Sequence, residues 1–338
     1  MKEINLITNE KVSINKKNYF CDNLEIKSIV LGLKKKFKLN FFCRKSNIKR
    51  QHRFSYKKTF LSKNIYFYLQ NILSTINNKN STYLVISITP YTFIATIFLI
   101  LLNKKFFLYL RSDGFEEYRI KFGFLGHFIY FLMFNIITQR SKIITNNIKI
   151  LRNRKGSILK PSMLDNDWKK NIKIFNRKEI KLLYLGRFKL EKGVFSLIKI
   201  FRKLKSKITL TLVGLENNQQ FFNEDKRIKF KNIISNKAEL IDLFDQHSIL
   251  ILPSFTEAYG MVIDEALSRM RPVIIFEDIK SVIHGRKGVF VCERNHKSLE
   301  ETVNRIIRDY NNIKKEIKKN KLPNKKEFIK SLQNFLSI

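Results

Sequence analysis

Acidic residues are scarce in this 338-residue chain: 28 Asp and Glu stand against 66 Lys and Arg, a formal charge of +38. Such an excess repels itself and calls for an anionic partner, whether nucleic acid, an anionic membrane face or a phosphorylated substrate. The wealth of Lys, Asn, Ile and Phe also fits AT-rich codon usage, a second source of the same charge. Glycine numbers only 11 and proline 5, and neither GxGxxG nor GxxxxGK[ST] occurs, which argues against dinucleotide oxidoreductases and P-loop enzymes. Three scattered cysteines, Cys21, Cys43 and Cys292, make no disulfide framework and no CxxC site, and they fit a reducing cytosol. The histidines, His52, His127, His247, His284 and His296, show no HExxH or other ligand spacing, so no metal site is expected. "MKEINLITNE" holds no apolar h-region, so no secretory signal is expected either.

Apolar residues are plentiful, at 44% of the chain, so disorder is excluded, and the length suits two domains. Strand and helix patterns alternate throughout, which predicts α/β domains with parallel sheets. In the first half the strands are "INLIT", "KLNFFC", "TYLVISI", "KFFLYLR" and "KIIT". Helices fall near Leu24 to Lys36, from Tyr91 to Leu102 and from about Phe124. The stretches Asn80 to Asn103 and Phe122 to Gln139 are nearly long enough to span a bilayer. β-Branched residues and Pro90 in the first, and His127 and Asn135 in the second, favour buried or membrane-surface helices. A polar passage from about Asn153 to Lys178 reads as the linker. Beyond it come "IKLLYLG", "ITLTLVG", "ILILPS", "PVIIF" and "VFVC" as strands. Helices follow Gly193, Ala238, Gly260 and Ser298, the last with "SLEE" as a capping box.

Chemistry concentrates in "LILPSFTEAYGMVIDEALSRMRPVIIF", Leu250 to Phe276. A buried parallel strand ends at Ser254, and ligands of such sheets bind outside the carboxyl ends of the strands, which places Glu257 at a ligand-facing edge. A helix beginning near Gly260 offers free N–H groups of Gly260, Met261 and their neighbours to a phosphate. Glu265, inside that helix, is placed to accept hydrogen bonds from sugar hydroxyls. In "LLYLGRFKLEKG", Gly186, Arg187 and Lys192 lie at the end of another strand, where two cations can clamp a diphosphate. In the first half "YLRSDGFEEY" ends a strand with Arg111, Asp113 and Gly114. Asp113 is there either to orient an acceptor hydroxyl or to cap a helix.

"GRFKLEKG", "TLVG", "PSFTEAYGMVIDEAL", "PVI" and "VIHGRKGVFV", in this order from Ile180 to about Ile307, resemble the C-terminal domain of glycosyltransferase family 4 (group 1). These are retaining enzymes of the GT-B fold, and the resemblance implies two Rossmann-like domains with parallel sheets facing a central cleft. The N-terminal acceptor domain would cover 1–160, the donor domain 161–315, and a basic helix over 316–338 would cross back. It further implies that Arg187 and Lys192 bind the donor diphosphate and that Glu257 meets the donor sugar at the reacting centre. Glu265 would hold the nucleotide ribose, and the amides of Tyr259, Gly260 and Met261 the distal phosphate, with no metal or other cofactor required. Ala258 stands where glycine is common, Met270 where glycine often precedes the x-Pro step, and "FKN" for a frequent Phe-x-Gly. The first βα loop, "TNEKVSINKKN", lacks the usual glycines.

The expected partners are a nucleotide sugar, a glycan or lipid-linked acceptor, and an anionic membrane surface met by "LKKKFK" and "RKSNIKRQHR". The expected place is the cytoplasmic face of the membrane, and the expected work is lipopolysaccharide or other cell-surface polysaccharide synthesis. A basic nucleic-acid-binding protein, or a membrane-associated GT-B protein with a decayed site, is the alternative. No zinc finger or RNP segment supports the former, and the aromatics are mostly Phe within apolar runs.

Overall fold

The structure, a computed structural model, describes residues 2–16, 18–78, 81–173, 179–215 and 225–337. The chain divides into two compact units: Met1–Met163 together with Asn324–Ile338, and Leu164–Pro323.

The first unit runs β1 (Glu3–Asn15), β2 (Asn18–Cys21), α1 (Leu24–Leu33), β3 (Lys38–Lys45), β4 (His52–Phe54), β5 (Thr59–Ser62) and α2 (Ile65–Leu73). It continues with β6 (Ser81–Ile86), α3 (Pro90–Leu101), β7 (Phe106–Leu110), α4 (Gly114–Thr138), β8 (Lys142–Thr145) and β9 (Gly156–Ile158). Strands β5, β3, β1, β6, β7, β8 and β9 lie parallel in that order. Every residue of β6 and β7 is buried, as a strand covered on both faces requires. Pro90 opens α3 behind a Thr89–Thr92 capping box, where its missing N–H costs nothing. Cys21, Cys43 and Cys292 are free and buried.

The expected first βα loop is a strand instead. β1 shifts register between Ile7 and Lys11, continues to Asn15 and pairs antiparallel with β2, Ser13 opposite Phe20. Val12 and Ile14 alternate with polar neighbours at the period of two that a strand needs, and Val12 is buried. Lys16, at φ 53, supplies the left-handed turn position usually given to glycine.

The second unit contains β10 (Ile180–Leu185), α5 (Val194–Arg202), β11 (Ile208–Leu215), β12 (Ile228–Asn232), α6 (Lys237–Gln246), β13 (Ile249–Leu252) and α7 (Met261–Ser268). After these come β14 (Val273–Phe276), β15 (Val289–Cys292), α8 (His296–Arg308) and α9 (Tyr310–Lys318). Its sheet is parallel, in the order β12-β11-β10-β13-β14-β15. The cap of α8 is Asn295, whose side chain accepts from the Ser298 amide. The helix therefore begins two residues before the "SLEE" box, because Asn caps as well as Ser and comes first. The last helix, α10 (Lys325–Ser337), returns to the first unit. There it buries Phe328, Leu332 and Leu336, and Gln333 Nε2 donates to Gly32 O at 3.0 Å.

The expected linker is mostly built into the two units. Residues 156–158 form β9, Trp168 is 2% exposed in the second core, and residues 174–178 lie outside the described residues. Segment 168–173 is held by fully buried arginines. Arg269 donates to the carbonyls of Trp168 (3.0 Å), Lys170 (2.6 Å) and Asn171 (3.0 Å), and Arg271 to that of Lys173 (2.9 Å). Asp245 is their counter-ion, with Oδ1 3.0 Å from Arg269 Nε. Met270, between the two arginines, takes φ 57, a conformation glycine adopts without strain.

Candidate functional site

β10 and β13 are neighbouring parallel strands, Leu182 opposite Ile249, so the loops that follow them leave from one edge of the sheet. The two loops are bonded to each other: Phe255 N donates to Glu191 O at 3.0 Å. Gly193, at φ 66, caps α5, and a Cβ there would lie 1.9 Å from Pro253 O. Only glycine permits that approach. It brings Lys192 Nζ to 2.7 Å from Glu257 Oε2, with the two side chains 23% and 19% exposed. Lys192 and Glu257, 65 residues apart in sequence, thus form one half-buried ion pair.

α7 starts just beyond. Gly260, at φ 70, is its N-cap and brings no side chain, so the first-turn amides have no side-chain cap. A helix start of this kind is an anion-binding surface electrostatically and by hydrogen bonding. The loop before it is braced from behind. Arg286 forms a buried pair with Asp264 (Nε–Oδ1 2.7 Å), donates to Tyr259 O at 3.1 Å and lies 4.3 Å over the Tyr259 ring, which also stacks on His284. Burial pushes the Tyr259 hydroxyl far up, so this ring is neutral support. Arg294 holds the other end, donating to Pro253 O (3.0 Å) and Ser254 O (3.2 Å), with its guanidinium over Phe255 and Phe276. No sequence pattern flagged Arg286 or Arg294, because their partners are backbone carbonyls and residues distant in sequence.

Glu265 is half-buried on α7; its carbonyl accepts from Ser268 Oγ at 2.7 Å, and its carboxylate has no hydrogen-bond partner among the described residues. Burial first, and the nearby Asp264 charge second, push its carboxyl up to about 8. Arg187 is exposed; Tyr184 Oη donates to its carbonyl at 2.8 Å, and its guanidinium has no partner among the described residues. The Gly186 amide donates to Val213 O at 3.0 Å, and Met261 is half-buried in the first turn of α7.

Asp113 lies in the other unit. It caps α4: Oδ1 accepts from the amides of Phe115 (3.1 Å) and Glu116 (3.4 Å), and Oδ2 is 3.3 Å from Arg152 Nη2. Of its two readings the cap is therefore realised. Arg111, beside it in sequence, is paired instead with the buried Glu25, Nε–Oε2 2.9 Å.

Residues 165–323 match the family model described as Glycosyl transferases group 1. The chain is similar to the capsular polysaccharide biosynthesis glycosyltransferase CapM of Staphylococcus aureus, 26% identical over 137 residues, 37% of this chain and 36% of the relative. It is also similar to trehalose synthase of Thermococcus litoralis, 27% identical over 222 residues, 55% and 53% of the two chains. It spans about a third to a half of the length of such curated relatives. Among solved structures it is similar to sucrose-phosphate synthase of Thermosynechococcus elongatus, with a TM-score of 0.76, 15% identity and coverage of 100% of this chain and 98% of that one. Anabaena HepE in complex with UDP and glucose gives a TM-score of 0.67, 13% identity, and coverage of 100% and 99%. The fold is GT-B, built here from two α/β units with parallel sheets.

Proposed function

We propose that this chain, a match to glycosyl transferases group 1 over its second unit, moves a sugar from a nucleotide-diphosphate sugar to a glycan or lipid-linked acceptor with retention of configuration. The observation that carries this reading is the Lys192–Glu257 pair set beside an uncapped helix start. A diphosphate leaving group needs positive charge where its own negative charge grows. Lys192, Arg187 and the amides of Tyr259, Gly260 and Met261 supply it without calling on a metal. Glu257, released from Lys192 as the phosphate takes over that cation, faces the sugar carbon that gains positive charge, as nucleophile or as electrostatic stabiliser. Glu265 accepts the ribose hydroxyls.

Cell-surface polysaccharide or lipopolysaccharide assembly at the cytoplasmic face of the membrane is the setting that fits the charge. An anionic membrane surface would hold the enzyme beside a lipid-linked acceptor.

A thermal-shift and donor-hydrolysis panel of UDP-, GDP- and CMP-sugars tests the assignment. A stabilising donor is expected for the wild type and lost in Arg187→Ala and Glu257→Ala; a donor that stabilises both variants as well as the wild type sinks it. Asp113→Asn keeps the cap, since Asn and Asp cap equally well, and removes the charge. Unchanged stability with a fall in transfer but not in hydrolysis assigns Asp113 to the acceptor. Unchanged transfer leaves it as a cap.

Glu265 adds a pH signature. A carboxyl raised to about 8 stabilises the free fold below about pH 4.5 and loses that contribution as the pH rises through 8. If the ionised form accepts the ribose diol, donor affinity should rise close to tenfold between about pH 7 and about pH 8.5, as the group ionises. Calorimetric titration should show that slope in the wild type and a flat profile in Glu265→Gln.

A further inference from the structure

The first unit carries an apolar surface that its own fold leaves uncovered. α4 buries Gly126, Tyr130, Met133, Phe134 and Ile137 on one side. Its opposite side is also apolar: Phe124 is 85% exposed, and Leu125, Phe128, Phe131 and Leu132 are exposed with it. α3 packs beside it and adds Leu101 and Leu102. Together these expose on the order of 800 Å² of apolar surface, above the few hundred that a monomer's largest patch usually shows. A helix apolar on all sides belongs in a core or in lipid.

Length decides between crossing and lying flat. Gly123 breaks the helix at φ 64, ψ −149. The straight part after it is about 22 Å long, short of a hydrocarbon core of about 30 Å. The part before it carries Glu116, Glu117, Arg119 and Lys121, paired as Arg119–Glu116 and Lys121–Glu117. Such a helix fits the interface plane, its apolar side among acyl chains.

A basic hollow adjoins this face. A cavity of about 370 Å³ between α4 and the turn after residues 148–151 is lined by Phe115, His127, Phe131, Asn135, Arg152 and Arg154. A neighbouring one of about 440 Å³ is lined by Asp113, Ile148, Lys149, Arg152 and Asn153. Arg152 lies 4.9 Å over the Phe115 ring, and Asp113, the acid at this place, is already held by two amides and by Arg152. Arg154 Nη2 donates to Asn135 Oδ1 at 2.9 Å and has no carboxylate partner among the described residues. His127 Nδ1 is buried without a partner among them. Arg140 and Lys142, at the far end of α4, are exposed.

We propose that the first unit docks on an anionic lipid bilayer through the exposed side of α4, with a lipid head-group phosphate seated at Lys149, Arg152 and Arg154. The apolar side supplies depth and the cations supply the preference for anionic lipid. This rests on the membrane-surface reading proposed above and names the surface and the lipid group it holds.

Flotation of the full chain with phosphatidylcholine vesicles, with and without phosphatidylglycerol, tests it, with folding of each variant checked by circular dichroism. The wild type should prefer the anionic vesicles by about tenfold or more. Phe124→Ser with Phe128→Ser should lower partitioning about tenfold on anionic vesicles. Lys149→Gln with Arg154→Gln should lower the anionic preference by several-fold more than the charge-matched Lys199→Gln with Lys203→Gln, which are exposed in the second unit. Excess glycerol phosphate should leave partitioning unchanged; full competition would make this a site for free phosphate and overturn the lipid assignment. Equal losses in the two charge pairs overturn the phosphate seat, and unchanged partitioning of the Phe pair overturns the docking face. Wild type indifferent to both vesicles overturns the whole inference. Donor thermal shifts on the same proteins stay at the wild-type value in every one of these cases, so failure here is distinct from failure of the donor site.

Discussion

Replacing Lys192 by alanine is expected to lower kcat/KM for nucleotide-sugar turnover by roughly 10²- to 10³-fold, the range for removing one group aimed at a developing anion in a sheltered site. The structure explains why one lysine among so many should matter this much. Gly193 fixes the chain beside Pro253, Glu191 O accepts the Phe255 amide, and the ammonium is held at 2.7 Å from Glu257 before any ligand arrives. The loop geometry that sets this position is made in advance, and donor binding then exchanges Glu257 for phosphate at the ammonium before the chemical step. Glu257→Gln removes the other half of the pair while keeping its shape. Because the two act as a unit, the double variant should fall less than the product of the single losses. Steady-state kinetics on any donor found by the panel, for the wild type, both singles and the double, would reveal this. Losses that multiply would separate Lys192 from Glu257 and leave the pair a bystander of the fold.

Asp245→Ala should destabilise the second unit by about 3–5 kcal/mol, the cost of leaving a buried charge without its partner. Here two arginines, each 1% exposed, lose their shared counter-ion, although most of their hydrogen bonds to carbonyls survive. The corresponding fall in melting temperature is roughly 6–20 °C for a unit of this size. The chain has a single tryptophan, Trp168, whose carbonyl accepts from Arg269 and whose ring meets Phe244 edge-on at 5.8 Å. Its fluorescence therefore reports on the second unit beside the altered charge. An unshifted transition would mean that the carbonyl cage alone satisfies both guanidinium groups. Replacing Asp245, Arg269 and Arg271 together by apolar residues of similar volume should not recover the loss, because the carbonyls of Trp168, Lys170, Asn171 and Lys173 would then lack their donors.

What the sequence revealed followed the strength of its patterns. Short continuous apolar runs bounded by turn residues, such as "ILILPS" and "IKLLYLG", fit buried strands, and β13, buried throughout, and β10, buried at Leu182–Tyr184, are such strands. Short elements carry little pattern: β4 has 3 residues and β5 has 4, and both lie in a passage whose charge masks them. The hairpin of β1 and β2 was hidden because Lys16 fills a turn position where a glycine would have been noticed. Within the site, Glu257, Gly260 and Lys192 could be picked out because each lies in a loop that joins the carboxyl end of a strand to the start of a helix. The ion pair could not, since it depends on how two loops pack against each other. Arg286 and Arg294 were lost among 66 basic residues, and only the carbonyls and rings around them set them apart.

The return of α10 to the first unit bears on how the molecule is made. Lys2 Nζ donates to Leu336 O at 2.8 Å, so α10 is tied to the start of β1 within one unit, and residues 164–323 are inserted between the two parts of that unit. On the ribosome the inserted unit has its whole sequence available first. The first unit waits, with the seat for Phe328, Leu332 and Leu336 unfilled, until α10 emerges.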